Sequence, residues 1–464
     1  MDPQGRDSRR FGYPLSGAND DPLVSRIQII GGFETTYMPG FDRDVAEITA
    51  HTTQRRTDLE LMRSCGVTSL RYPVRWHRVE TEPGRFDWSE TDAVMDLLEE
   101  IGLSPIIDLV HHTSYPQWLR DGFADRGFPL AYLRYLEAFA TRYPQVHEYT
   151  LFNEPFSTLF LCAHEAAWPP YRQGMDDFVE VLGNVLPALA RATHMYADML
   201  PKADHVWVDT CEGHIGSSHD GRKYARYAND RRFFVIDAVL GRIDGASGRP
   251  FVADVAAHGG ASLLELPGGR VDVLGLDYYA HCQWHFGPRH GFAPSPDVIP
   301  LADLIEEYAG RYGLPCMVTE TNLRGTPSDR ATWLKYTMEQ SEIASRRGVD
   351  VRGLCWFPFI DSCDWNSLLR VQCGSIDPVG AVSLTPDLTR QTTTMTRALA
   401  AAANGATSSD LTAYAWQSPV SHWLRGYRRH VPHWDWQPPL EHDVVEWDAL
   451  STKNFEPLGA LATL

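Results

Sequence analysis

Short apolar runs alternate along the chain with longer stretches whose apolar residues recur at helical spacing. RIQIIGGF (26–33), VTSLRYP (67–73), SPIIDLVHH (104–112), VHEYTLFN (146–153), HVWVDT (205–210), VDVLGLDYY (271–279), LPCMVTET (314–321) and VRGLCWFPFI (351–360) read as strands. Between them QRRTDLELMRSCG (54–66), SETDAVMDLLEEIG (89–102), PLAYLRYLEAFATRY (129–143), DDFVEVLGNVLPALARATHMYADML (176–200), LADLIEEYAGRYG (301–313) and SDRATWLKYTMEQSEIASRRG (328–348) read as helices. In the clearest of these, Ser89 is the expected cap, Val94, Leu97, Leu98 and Ile101 form one face, and Gly102 ends the run. Eight short strands, apolar enough to be covered on both sides and separated by helices, predict an α/β fold, a (β/α)8 TIM barrel. GGFETT after the first strand is not the Gly-rich turn of an open nucleotide-binding sheet.

A single barrel domain accommodates the length of 464 residues. The predicted division is an N-terminal arm over 1–25, the barrel over 26–404 and an aromatic-rich C-terminal extension over 405–464. In that extension NGATSSD reads as a linker, and the tryptophans at 416, 423, 434, 436 and 447 need a surface to cover, the barrel or an interface between copies in a homo-oligomer, with a lid over the site as the alternative. LRGYRRH (424–430) reads as a solvated face.

A net charge of −18 speaks against nucleic-acid backbones and anionic membranes as partners. The polar start, with no 18-residue apolar run anywhere, predicts a cytoplasmic protein. Eight irregularly spaced cysteines without a C-x-x-C pair read as reduced, buried thiols, with no zinc site and no metal implied.

The chemistry is concentrated at strand ends. Glu154, in LFNEP, closes the fourth strand, and Glu320, in VTETN, closes the seventh. Either alone is an ordinary strand-to-loop exit. Together they lie nearly opposite one another on the barrel face that carries active sites, where a retaining glycosidase needs two carboxyls about 5 Å apart.

With these motifs in place the chain resembles glycoside hydrolase family 1, within the clan of barrels whose acid/base and nucleophile end strands four and seven. LFNEP resembles the family's T-F-N-E-P, TETN its T-E-N-G, LRYPVRWHRV (70–79) its Y-R-F-S-x-x-W-x-R-I, LVHHTSYPQWL (109–119) its L-H-H-W-D-L-P-x-x-L, VLGLDYY its F-x-G-x-N-Y-Y, and CWFPFIDSCDW (355–365) its V-W-S-L-x-D-N-x-E-W. The resemblance spans most of residues 27–400. It implies a retaining β-glycosidase, β-glucosidase-like, needing no metal or organic cofactor, with Glu154 as acid/base and Glu320 as nucleophile. It further implies Arg71 and Tyr279 beside Glu320, Asn153 at the sugar 2-hydroxyl, His112 in sugar contact, Trp356 under the ring, and Asp364 and Trp365 at its far end.

Independently of the family, acetal cleavage needs one neutral and one ionised carboxyl at the same pH. Arg71 and Tyr279 favour an ionised Glu320, whose charge in turn keeps the proton on Glu154. Departures from the family pattern bear on the sugar. Met38 stands where the family has a hydroxyl-gripping glutamine, with Glu34 nearby. Asp364 replaces a glutamate, Asp277 an asparagine and Thr321 an asparagine, and one extra residue lies between Trp356 and Asp361. A thioether cannot replace an amide's paired hydrogen bonds, so the expected glycone is not plain glucose. Two alternatives use the same residues: a transglycosidase with a non-water acceptor, and a carbohydrate-binding protein without turnover.

Overall fold

A computed structural model describes residues 27–288, 291–417 and 421–440; the 1–25 arm, Trp447 and the rest of the C-terminus lie outside the described residues. Eight parallel strands close into a barrel: β1 (Gln28–Gly32), β2 (Ser69–Pro73), β3 (Ser104–Asp108), β4 (Glu148–Thr150), β5 (Asp204–Thr210), β6 (Val273–Asp277), β7 (Cys316–Thr321) and β8 (Val351–Trp356). Each pairs with its neighbours in chain order, and β1 closes the ring on β8. All eight lie inside or within a residue of the predicted runs.

Strand alternation separates two cores. Ile30, Ile106, Val206, Val208, Val273, Met317 and Cys355 fill the barrel interior together with Phe357. The intervening positions, such as Ile29, Ile107, Leu274, Val318 and Leu354, pack outward against the helical ring. Gly275 belongs to the narrow interior: a Cβ there would stand 2.3 Å from the Trp207 carbonyl and 2.7 Å from the Thr319 hydroxyl.

The helices His51–Ser64, Ser89–Ile101, Phe128–Arg142, Met175–Met199, Leu301–Tyr312 and Pro327–Arg346 match the predicted ones closely. Ser89 is not the cap expected of it. Trp88 holds the N-cap position without a side-chain bond, and Ser89 is the first helical residue, its amide donating to Asp87 at 3.0 Å. The segment between β5 and β6, which gave no strong periodicity, carries the helices His219–Arg231, Phe234–Val239 and Pro250–Ala257.

Pro327–Arg346 is polar in sequence yet buried on most of its surface, because the chain beyond residue 404 lies over it. The amide of Tyr414 donates to Thr332 at 2.7 Å and that of Gln417 to Asp329 at 2.8 Å. The Lys335 ammonium sits 5.1 Å from the Trp434 ring. Ser408, in the predicted linker, is buried and hydrogen-bonded to Glu342. The helix Ser421–His430 exposes Arg428, Arg429 and His430 as a solvated face, but Leu424 and Tyr427 are buried, which corrects the reading of that stretch. Of the cysteines, all are free and only Cys373 is exposed.

Candidate active site

Three carboxyls meet at the carboxyl end of the barrel. One oxygen from each of Glu154, Asp277 and Glu320 lies within 4.8 Å of the other two. Different local devices bring them together.

Glu154 follows β4 by four residues. Asn153 forms a bridge with Val208 of β5, and the Glu154 amide donates to the Val208 carbonyl at 3.0 Å, so the strand ladder runs up to the acid. There the backbone turns left-handed, with φ 45° at Glu154, and enters the helix Pro155–Ala163 with Pro155 in its first turn. A non-glycine residue in that conformation costs about 1–2 kcal/mol, a strain typical of functional sites.

Glu320 reaches the interior by a bulge. Met317 pairs with Gly275, but Glu320, three residues on, pairs with Asp277, only two residues on. The extra residue in β7 reverses the alternation, so Glu320 joins the inward face instead of following Val318 outward. Asp277, two residues after Gly275 and four after inward Val273, needs no such device.

Glu320 accepts from Arg71 Nη1 at 2.6 Å on one oxygen and from the Tyr279 hydroxyl at 2.6 Å on the other. Arg71 is fully buried and also reaches Asn153 Oδ1 at 2.6 Å and Asp108 Oδ2 at 3.1 Å. Burial opposes its charge, but Glu320 and Asp108 more than offset this and raise its pKa. Burial, with the charge of Glu320 beside it, raises the Tyr279 phenol well above its usual range, so it remains a donor. Among the described residues no cation pairs with Glu154. Burial, then the charges of Asp277, Glu320 and Asp209, push its pKa well above the usual carboxylate range. A neutral carboxyl thus faces one held by a guanidinium and a phenol.

The remaining predicted residues divide into those turned to this centre and those committed elsewhere. Asn153 carries Arg71 on its oxygen, and its amide nitrogen donates to His112 Nε2 at 3.3 Å. The other nitrogen of His112 meets the Thr158 hydroxyl at 2.8 Å, and burial, reinforced by the charge on His111, lowers its pKa well below the usual range, so it is neutral. Trp365 is partly exposed, 5.6 Å from the His112 ring. Trp356 is fully enclosed, its indole donating to the Val379 carbonyl at 3.1 Å. Asp364, also fully buried and left-handed at φ 61°, accepts the amides of Gly374 at 2.9 Å and Ser375 at 2.8 Å; its carboxylate secures its own loop. Met38 is buried, with the Thr113 hydroxyl 3.3 Å from its sulfur.

Glu34 is part of a charge chain that sequence reasoning did not identify. Its Oε1 takes the amide and hydroxyl of Thr36 at 2.7 and 2.6 Å and lies 3.4 Å from His111 Nε2; His111 Nδ1 lies 2.8 Å from Asp108 Oδ2, which also receives Arg71. Burial alone would neutralise His111 and Glu34. Their mutual attraction, with that of Asp108, wins, raising His111 to about 10 and holding Glu34 at about 2. Charges therefore alternate from Glu320 through Arg71, Asp108 and His111 to Glu34. Asp108 is the last residue of β3 and Glu320 the last but one of β7, and that position was the signal for it.

Residues 31–231 match the profile of glycosyl hydrolase family 1, a span containing Glu34, Arg71, His112, Asn153 and Glu154 but ending before Glu320. Among solved structures the fold is shared with a β-glucosidase from Thermotoga maritima in complex with glucoimidazole, at 18% identity and a TM-score of 0.64, covering 77% of this chain and 88% of that one. It is also shared with a β-glycosidase from Pyrococcus horikoshii, at 18% identity and a TM-score of 0.65, covering 82% and 95%. Among the described residues no helix is long and apolar enough to cross a membrane.

Proposed function

We propose for this chain, whose residues 31–231 match the profile of glycosyl hydrolase family 1, a retaining β-glycosidase activity in which Glu320 is the nucleophile and Glu154 the acid/base. The observation that carries the reading is the meeting of Glu154 and Glu320 within 4.8 Å, Glu320 flanked by Arg71 and Tyr279 and Glu154 paired with no cation among the described residues. That spacing fits double displacement and leaves no room for the water that an inverting pair holds at about 6.5–9.5 Å.

In the first step a Glu320 oxygen attacks the anomeric carbon while Glu154 gives its proton to the departing oxygen, whose bond to that carbon breaks. Glu320 becomes a neutral ester and Glu154 a carboxylate. In the second step Glu154 takes a proton from water, the resulting hydroxide attacks the anomeric carbon, and Glu320 leaves as a carboxylate. Arg71 and Tyr279 stabilise that leaving charge at both ends of the cycle.

The glycone differs from plain glucose. Met38 offers no polar group to sugar hydroxyls, and Glu34, held ionised, presents an acceptor without donors. A carboxylate there accepts from hydroxyls or an ammonium group and repels an acidic substituent. A binding protein without turnover would have no use for a neutral carboxyl opposite an ionised one.

A panel of aryl β-glycosides tests the reading, with and without added alcohol acceptor. Release of the aryl alcohol is expected; acceptor-dependent products would assign transfer, and no release from any sugar would defeat the proposal. Glu320→Ala should abolish turnover and regain it with azide, giving product of inverted configuration. Glu154→Ala should largely spare substrates with very good leaving groups. Equal, modest losses in both variants would contradict the assigned roles.

A further inference from the structure

Asp277 occupies the centre of the three-carboxyl cluster. Its Oδ1 accepts from the Thr319 hydroxyl at 2.7 Å. Its Oδ2 is buried and meets no N–H or O–H donor among the described residues. Oxygens of Glu154 and Asp277 lie within 4.8 Å of each other, and Asp277 is among the groups that raise the Glu154 pKa. Two carboxyls can share a hydrogen bond only if one carries a proton, since ionised carboxylates are acceptors alone.

Resting on the assignment of Glu154 as acid/base, we propose that Glu154 and Asp277 hold one proton between them in the resting enzyme, and that Asp277 is thereby a positioning residue for the acid. The surroundings fix where that proton resides. Around the pair stand Glu320 and Thr319 from β7, Arg71 from β2, Tyr279 just beyond β6, Asp209 from β5 and Cys355 from β8. Arg71 is bonded to Glu320 and to Asp108 and attracts the Asp277 charge from there, while among the described residues no cation pairs with Glu154. Asp209 accepts the amides of Phe156 and Thr210; burial pushes it up to about 7, so it adds negative character from the side of Glu154 only above that pH. Asp277 already has a donor in Thr319, so it is the better acceptor and Glu154 the donor.

The charge count of the cluster is then the same on both sides of the first chemical step. Before it, Glu154 is neutral and Asp277 and Glu320 are ionised. Afterwards Glu154 and Asp277 are ionised and Glu320 is an uncharged ester. One proton has gone to the departing oxygen, and one negative charge has moved from position 320 to position 154. The second step reverses this, with water supplying the proton. Next to Asp277, the Glu154 carboxylate is a stronger base toward that water than it would be beside an amide. An asparagine at 277 would instead donate an N–H to Glu154 and favour its ionised form too early.

Asp277→Asn tests the proposal in the full-length protein. Relative to the native enzyme, the alkaline limb of kcat/KM should move down by about one pH unit or more. At neutral pH, kcat should fall about tenfold on glycosides with poor leaving groups and little on dinitrophenyl glycosides, with KM nearly constant. An unmoved alkaline limb, or losses equal across leaving groups, would overturn it. A second measurement needs no turnover: carboxyl carbon NMR of the native protein should show one signal pair titrating jointly. Glu154→Gln should return Asp277 to a single simple titration at lower pH. Independent titrations unchanged by Glu154→Gln would refute the shared proton even in a protein that cleaves nothing. Joint titration without glycoside cleavage would instead sustain the pairing and remove its catalytic meaning.

Discussion

The hydroxyl of Tyr427, in the C-terminal helix, lies 3.2 Å from that of Tyr278, whose own amide donates to the carbonyl of Glu320 at 2.9 Å. Tyr427 also donates to the Ala280 carbonyl at 3.2 Å and meets the Trp333 ring edge-on at 4.9 Å. Trp333 in turn donates to Thr321, and Thr321 to the Tyr278 carbonyl at 2.6 Å. The tail thereby braces the backbone on both sides of Tyr279, the phenol that holds the nucleophile.

Tyr427→Ala should cost about 3 kcal/mol of unfolding free energy in urea, as expected for emptying a fully buried aromatic site. It should also lower kcat more than it raises KM, because the Tyr279–Glu320 bond loses its support. Tyr427→Phe keeps the ring and should cost about 1 kcal/mol with most activity retained. A stable, fully active alanine variant would confine the tail to covering surface.

His111 is expected to make stability depend on pH with a defined sign. Its folded pKa of about 10 lies above its ordinary value, so its ion pairs with Glu34 and Asp108 contribute fully below about pH 6.5 and are lost as the pH rises through about 10. Glu34, held at about 2, contributes above its ordinary carboxylate range and loses its contribution only in strong acid. Native protein should therefore exceed His111→Gln in stability by about 2–4 kcal/mol more at pH 6 than at pH 10. Urea denaturation at the two pH values measures this, and a gap independent of pH would show that His111 is neutral.

Gly275→Ala addresses the barrel interior beneath the site. The added methyl meets the Trp207 carbonyl, which cannot retreat, and Thr319, whose hydroxyl holds Asp277. Overpacking of this kind costs about 1–3 kcal/mol. Activity should fall further than that of a variant of equal stability in the outer core, such as Ile29→Val, which touches neither residue. Equal activity at equal stability would separate Thr319 from the function of Asp277.

The scaffold was readable because each strand is a short apolar run between recognisable helices, and Glu154 because an acid between asparagine and proline marks a strand exit. Orientation was not readable. Period-two counting from Met317 turns Glu320 outward, and only the pairing with β6 exposes the extra residue that turns it in. The adjacent histidines pose the same difficulty: family resemblance selects His112, yet its two nitrogens are taken by Thr158 and Asn153, while the charge resides on His111, set by residues 34 and 108, distant in sequence. Composition likewise cannot say that Pro327–Arg346, rich in Thr, Ser and Arg, is buried by a tail that meets it from 66 residues further on.

Asp364 separates a loop anchor from a direct sugar ligand. Its two oxygens are taken by Gly374 and Ser375, and the loop between carries Trp365, the partly exposed aromatic nearest His112. Asp364→Ala leaves the exposed Gly374 amide and the half-buried Ser375 amide without their acceptor, which should cost about 1–3 kcal/mol together. Thermal unfolding should fall accordingly, protease cleavage within 366–375 should quicken, and KM should rise as Trp365 loses its place. Asp364→Asn retains one acceptor oxygen and should fall between the native protein and the alanine variant in all three measurements. A sugar ligand would behave otherwise: the asparagine variant would lose glycone discrimination and kcat at native melting temperature, and that pattern would return Asp364 to the substrate-binding role implied by the family resemblance.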